Sequence, residues 1–196
     1  MLIWIDCEMT GLDIDNDALI EVAVLVTDGE LNVQGDGIDI IIASPDAKLD
    51  AMGDVVREMH AKSGLTDEVR ASAVDMAEAE RQAMAYITKY VPEAGKAPLA
   101  GNTIGTDRAF LARDMPMLER YAHYRNVDVS TIKELAKRWY PRTYYGAPAK
   151  QSHHRALADI RESIQELRYY RAAVFVPKPG PSGNDVKALA AAFPMG

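Results

Sequence analysis

The chain opens on Leu2-Ile3-Trp4-Ile5, and this apolar run stops abruptly at Asp6-Cys7-Glu8. A run so short and so apolar reads as a buried central strand. Side chains two residues apart on a strand point to the same side, so Asp6 and Glu8 project together at its C-terminal end and Cys7 faces the other way. Ligand sites of α/β sheets lie just beyond such strand ends. Two neighbouring carboxylates repel each other and are costly to bury. A hard divalent cation between them answers both costs. For Asp-x-Glu alone, a strand that simply ends in polar residues at a turn is the better reading; the rest of the chain has to change it.

Two further strands follow closely. Residues 18–27 (ALIEVAVLVT) are strongly β-prone and end in the turn Asp28-Gly29, and residues 33–43 carry the dense run Ile38 to Ile42. Short connections make antiparallel pairing of these three strands the economical arrangement. Helices are expected over 49–60 and, with a stripe of Met76, Ala79, Ala83, Tyr86, Ile87 and Tyr90, over 74–91. A fourth strand (97–100), helical pieces from Thr106 and Met117, a fifth strand (126–129), a helix over 130–139, a loop over 141–153 and a last helix over 156–172 complete the pattern. The expectation is a mixed five-stranded α/β sheet, three antiparallel strands then two helix-connected ones, flanked by helices. It occupies residues 1–176, and the Pro/Gly/Ala-rich stretch 177–196 is expected as a poorly ordered tail.

Bulk properties narrow the function. The 196 residues suit one domain, and no stretch is long and apolar enough to span a membrane. The single cysteine, Cys7, fits a small core residue in a reducing cytoplasm. A net charge of −7 argues against tight, non-specific binding of long nucleic acid, which needs many Lys/Arg–phosphate contacts. A substrate of a few phosphates is compatible with it.

Three more residues stand out by position. Asp107 sits at a helix start beyond the loop 101–106, where an acidic residue also serves the helix dipole. Asp159 lies in the last helix, where a solvated helix face is the plainer reading. His154, five residues before Asp159, would diverge from it on a continuous helix. If the two share a site, His154 precedes the helix and leans over its first turn, where an imidazole suits a general base.

Together, Asp6-x-Glu8, Asp107 and His154-x-Ala156-x-x-Asp159 resemble the DEDD-type 3′–5′ exonucleases, in their histidine subclass. The stretches WIDCEMTGL (4–12), AGNTIGTDRAFL (100–111), HYRNVDVSTIKELAKRWYP (123–141) and HRALADIRESIQELRYYR (154–171) are similar to the oligoribonuclease family within it. The resemblance runs from about Leu2 to Arg171. It implies a ribonuclease H-like fold, a homodimer, and hydrolysis of short RNA, down to dinucleotides, to 5′-mononucleotides. It further implies that Tyr124, an active-site residue, and Arg125 reach into the partner subunit's site. Leu12 matches a leucine that wedges between bases, and Asn102 and Thr103 match a loop that approaches the substrate. Val55 stands where many members carry a base-stacking tryptophan. Trp4 is expected in the core, and Trp139 in the core or at the dimer surface.

Phosphodiester hydrolysis needs a nucleophilic hydroxide, charge relief on the phosphoryl oxygens and a stabilised leaving oxygen, which a two-metal site can supply. The expected ligands are Asp6, Glu8, Asp107 and Asp159, holding two ions of Mg²⁺ or Mn²⁺, with His154 as the base. Ser130 and Thr131 begin a helix beside Arg125, so a terminal 5′-phosphate could sit there; Thr131-x-x-Glu134 also has the form of a plain capping box. An exonuclease trimming longer RNA or DNA is the alternative, and a non-catalytic nucleic-acid-binding module a further one.

Overall fold

The structure is a computed structural model, and it describes residues 1–149 and 155–194. Strands β1 (Leu2–Met9), β2 (Leu19–Thr27) and β3 (Val33–Ile41) come first, then helices α1 (Asp46–Asp50), α2 (Asp54–Ser63), α3 (Leu65–Ala71) and α4 (Met76–Tyr90). Strand β4 (Pro98–Gly101), helices α5 (Ile104–Asp114) and α6 (Pro116–Tyr121), strand β5 (His123–Asp128) and helices α7 (Val129–Trp139), α8 (Pro141–Tyr145), α9 (Ala156–Val174) and α10 (Gly183–Ala192) follow.

The strands form one sheet in the order β3-β2-β1-β4-β5. The three N-terminal strands pair antiparallel, and β4 and β5 add in parallel. Strand β1 is therefore central, as its apolar run requires. Its odd residues Ile3, Ile5 and Cys7 pack under α4, α5 and α6 with Ala83, Ile87 and Leu111. Trp4, on the opposite face, packs with Leu25, Ala100, Val129, Ile160 and Ile164 under α7 and α9. The indole N–H of Trp4 is satisfied by Thr27 Oγ1 at 2.9 Å. Asp6 and Glu8 share the Trp4 face, so the period of two that splits the core also aims both carboxylates toward α9.

Gly101 closes β4 where only a glycine fits, because a Cβ there would lie 2.8 Å from the carbonyl oxygen of Ile5. That close approach draws the strand end, and the loop to Asp107, against β1.

Several local expectations are corrected. The helix expected over 49–60 is two helices, α1 and α2, interrupted at Ala51–Gly53, and α3 follows Gly64, which adopts φ 81° as the cap between them. Part of the loop expected over 141–153 is α8, which Pro141 starts in its first turn. The stretch past Pro177, expected as a tail, buries none of its described residues and carries α10, opened by a capping box between Ser182 and Asp185. Trp139 is 66% exposed, which leaves the surface alternative of its expectation.

Candidate active site at the end of the central strand

Strand β1 and helix α9 bring Asp6, Glu8 and Asp159 together. Each offers a carboxylate oxygen within 4.8 Å of the others. Asp159 is in the first turn of α9, on the flank of the buried stripe Ile160, Ile164, Leu167 and Tyr170. Burying that stripe against Trp4 and Leu25 fixes the roll of the helix and so the direction of Asp159.

Asp107, from the first turn of α5, is buried beside this trio rather than within it. Its Oδ1 accepts the backbone N–H of Cys7 at 2.9 Å. Its charge still reaches the trio: burial first, then Asp107, Glu8 and Asp159, push the carboxyl of Asp6 up to about 9. Burial, then Asp159 and Asp107, raise Glu8 to about 7, with Arg155 opposing. Burial raises Asp107 to about 6, held back by its backbone hydrogen bonds. Three acids, Asp107 buried and Asp6 and Glu8 half-buried, resist losing their protons and form an all-oxygen donor set short of positive charge. A hard divalent cation supplies that charge and displaces the protons.

Arg155 supplies positive charge that opposes the rise at Glu8, and the sequence had not marked it. It caps the N-terminus of α9 and accepts the amide of Asp159 at 3.0 Å through its carbonyl. Its guanidinium grips Glu68 of α3 at 2.8 and 2.9 Å and donates to Glu21 of β2 at 3.2 Å. Glu21 is fully buried and lies opposite Glu8 in the β1–β2 ladder. Burial, then Asp39, raises its carboxyl to about 8, with Arg155 opposing. A lone acid inside the otherwise apolar β2 was the only sequence signal for this pair. His60 of α2 was also missed. It is buried, its Nε2 lies 2.9 Å from the Met9 carbonyl oxygen and its Nδ1 4.0 Å from Glu8 Oε2, tying α2 to the end of β1. His154 lies outside the described residues.

Ser130 and Thr131 open α7, where Ser130 meets Asn102 and Thr103 of the loop expected to approach the substrate. Thr103, at φ 55° and ψ 31°, holds a left-handed conformation unusual for a β-branched residue. That conformation sends its N–H to Asp128 Oδ1 at 3.0 Å and its Oγ1 to within 3.1 Å of Ser130 Oγ. Ser130 Oγ donates to Asn102 Oδ1, and the amide of Asn102 donates to Ser163 and Glu166. The capping expectation is corrected here. The cap of α7 is Asp128, which accepts Ser130 N–H at 2.9 Å and the hydroxyl of Thr131 at 3.3 Å. Glu134 instead pairs with Arg138. The helix starts at Val129, so Thr131 lies inside its first turn, where its hydroxyl donates to the cap instead of serving as one.

Leu12 is 76% exposed on the turn after β1, and Tyr124 and Arg125 are exposed on β5. Val55 is exposed on α2.

A family model described as Exonuclease matches residues 3–167. The chain is 64% identical over 188 residues to an oligoribonuclease of Rhodococcus jostii, covering 96% of this chain and 94% of that one. It is 63% identical to an oligoribonuclease of Streptomyces griseus, covering 97% and 94%, and 60% identical to that of Mycobacterium avium, covering 100% and 91%. Among solved structures, a zinc-bound E. coli exonuclease I–ssDNA complex superposes with a TM-score of 0.68 at 16% identity, covering 88% of this chain and 40% of that one. Exonuclease I of Methylocaldum szegediense gives 0.64 at 20% identity, with the same coverages. The chain thus spans about two fifths of those structures, and the likeness shows the shared ribonuclease H-like fold.

Proposed function

The chain belongs to the exonuclease family and, within it, to the oligoribonucleases, and from that membership we propose that it hydrolyses short RNA from the 3′ end to 5′-mononucleotides. The observation that carries the reading is the meeting of Asp6, Glu8 and Asp159 at the end of β1, with Asp107 bound to the strand between them.

We assign these four carboxylates to two divalent ions, Mg²⁺ or Mn²⁺, to which their oxygen donors are suited. Such ions supply Lewis acidity, making a water acidic and offsetting charge on the phosphoryl and leaving oxygens. The protein's own residues do the rest. His154, ahead of α9, takes the proton of the attacking water. Arg155 holds the helix start, and with it Asp159, against the sheet. Leu12 contacts a base, and Asn102 and Thr103 line the approach. The hydroxyls of Ser130 and Thr131, with Arg125, receive the 5′-phosphate. Tyr124 and Arg125 act in the site of the partner subunit of a homodimer. The exposure of Leu12, Tyr124 and Arg125 is compatible with these roles. With no helix among the described residues long and apolar enough to cross a membrane, a cytoplasmic site of action is consistent.

The test offers dinucleotides, pentanucleotides and long single strands of RNA and DNA, with Mg²⁺ or with chelator. The reading expects 5′-mononucleotides from short RNA, only with metal, and none from Asp6→Ala. Preferential cutting of the long strands would favour the trimming exonuclease instead.

A further inference from the structure

We propose that Arg108 is a positioning residue that holds Tyr124 and Arg125 out of the sheet, in the pose that serves the second copy's site. The proposal rests on the reading that the site is completed across a dimer.

The pairing of β4 with β5 slips at this point. Pro98 faces His123, yet the next residue, Leu99, faces Asn126. The ladder advances by one residue on β4 and by three on β5, so Tyr124 and Arg125 have no partner on β4. A bulge of this kind bends a strand, re-aims its side chains and interrupts its backbone pairing. The carbonyls it frees still need donors.

Arg108, the residue after Asp107 on α5, provides them. Its Nη1 donates to the carbonyls of His123 and Tyr124, both at 3.1 Å, and to Asn126 Oδ1 at 2.7 Å. Its Nε and Nη2 both reach Glu119 Oε1 on α6, at 2.9 and 2.8 Å, which fixes the guanidinium plane. The amide of Arg125 donates to His123 Nδ1 at 3.1 Å, closing the bulge from within. The imidazole of His123 stacks on the Tyr124 ring at 4.4 Å, and the Arg125 guanidinium carbon lies 5.4 Å from the same ring. Tyr124 is nevertheless 73% exposed, so this order serves no core. A planar fork can hold two carbonyls, an amide oxygen and a carboxylate at once; the point charge of a lysine cannot.

Arg108 is also the chain neighbour of Asp107, so the rival account is that it acts within its own subunit, through that carboxylate. Mixed dimers separate the two. Arg108→Ala and Arg108→Lys are each assayed on a 5′-phosphorylated dinucleotide, alone and after subunit exchange with Asp6→Ala, and Mn²⁺ binding is followed by calorimetry. Arg125→Ala with Asp6→Ala is the parallel mixture. The expectation is that both Arg108 variants stay dimeric, bind Mn²⁺ as wild type does, and lose about 10- to 100-fold in kcat/KM, as a reacting group misplaced by an ångström would. Exchange with Asp6→Ala, which supplies an intact bulge, restores activity well above that of either variant alone. Full activity in Arg108→Lys, or weakened Mn²⁺ binding, would overturn the proposal. So would recovery in the Arg125→Ala mixture but not in the Arg108 mixtures, which places Arg108 in its own subunit's site and leaves the dimer reading intact. No recovery from any mixture, with exchange verified, removes the dimer reading and the proposal with it.

Discussion

The backbone N–H of Cys7 donates to Oδ1 of Asp107 at 2.9 Å, so the residue between Asp6 and Glu8 is pinned by a third acid. The bond joins β1 to α5 at the point where two strand carboxylates diverge from the core face.

An amide can accept the same N–H without carrying charge. Asp107→Asn should therefore keep its urea midpoint near that of wild type while losing most of its activity and much of its Mn²⁺ affinity in calorimetry. Asp107→Ala, which also leaves the Cys7 amide without its acceptor, should lose about 1–3 kcal/mol of stability. Wild-type Mn²⁺ affinity in Asp107→Asn would remove Asp107 from the ligand set.

The metal-free protein should become less stable as pH rises. Asp107, Glu8 and Asp6 are raised to about 6, 7 and 9. Unfolded carboxyls titrate near about 4. Between those values the folded state binds more protons than the unfolded one, so stability falls with pH across that window. In chelator, Tm should decline from pH 5 to pH 9 as Asp107, Glu8 and Asp6 ionise in turn. Saturating Mg²⁺ should flatten or reverse the decline, because binding replaces the protons. A Tm in chelator that rises with pH over this range contradicts the account.

Arg155 compensates a fully buried acid, Glu21. Breaking a buried pair by removing one partner costs about 3–5 kcal/mol. The side chain of Arg155 is itself 30% exposed, and Glu21, raised to about 8, can keep its proton once unpaired, so Arg155→Ala should fall below that range in a urea titration. The double variant Arg155→Ala/Glu21→Gln should regain part of the loss, since no uncompensated charge is left inside. Failure to regain any would show that the two residues do not act as a pair.

Asp128 caps α7 with a full negative charge beside the proposed 5′-phosphate position. Asparagine caps a helix about as well. Asp128→Asn should keep its Tm and bind a 5′-phosphorylated dinucleotide more tightly, with little change for the unphosphorylated one. Weaker binding of both would mean that the anion does not sit at this helix start.

His154→Ala should lower kcat by about 10²–10⁴-fold, the usual contribution of a general base, while Mn²⁺ binding survives. The same loss in His153→Ala, with His154→Ala near wild type, would transfer the role to the neighbouring histidine.

Periodicity over a few residues was enough to place Asp6 and Glu8 on one side of a central strand, Cys7 on the other, and Ile160, Ile164, Leu167 and Tyr170 on the buried side of the last helix. Those relations depend only on backbone geometry, which local sequence dictates. Contacts across the fold were not legible in the same way. Glu21 and Arg155 are 134 residues apart, and Cys7 and Asp107 are 100 apart. They meet because buried charge and freed backbone groups must find partners wherever the packed chain offers them. Thr131 and Glu134 had the spacing of a capping box, yet α7 begins at Val129, so Asp128 is its cap and Thr131 lies within its first turn. The bulge at Tyr124 and Arg125 leaves no mark in composition or spacing: it arises where β5 meets β4 out of step and Arg108, from another helix, holds the carbonyls that the slip exposes.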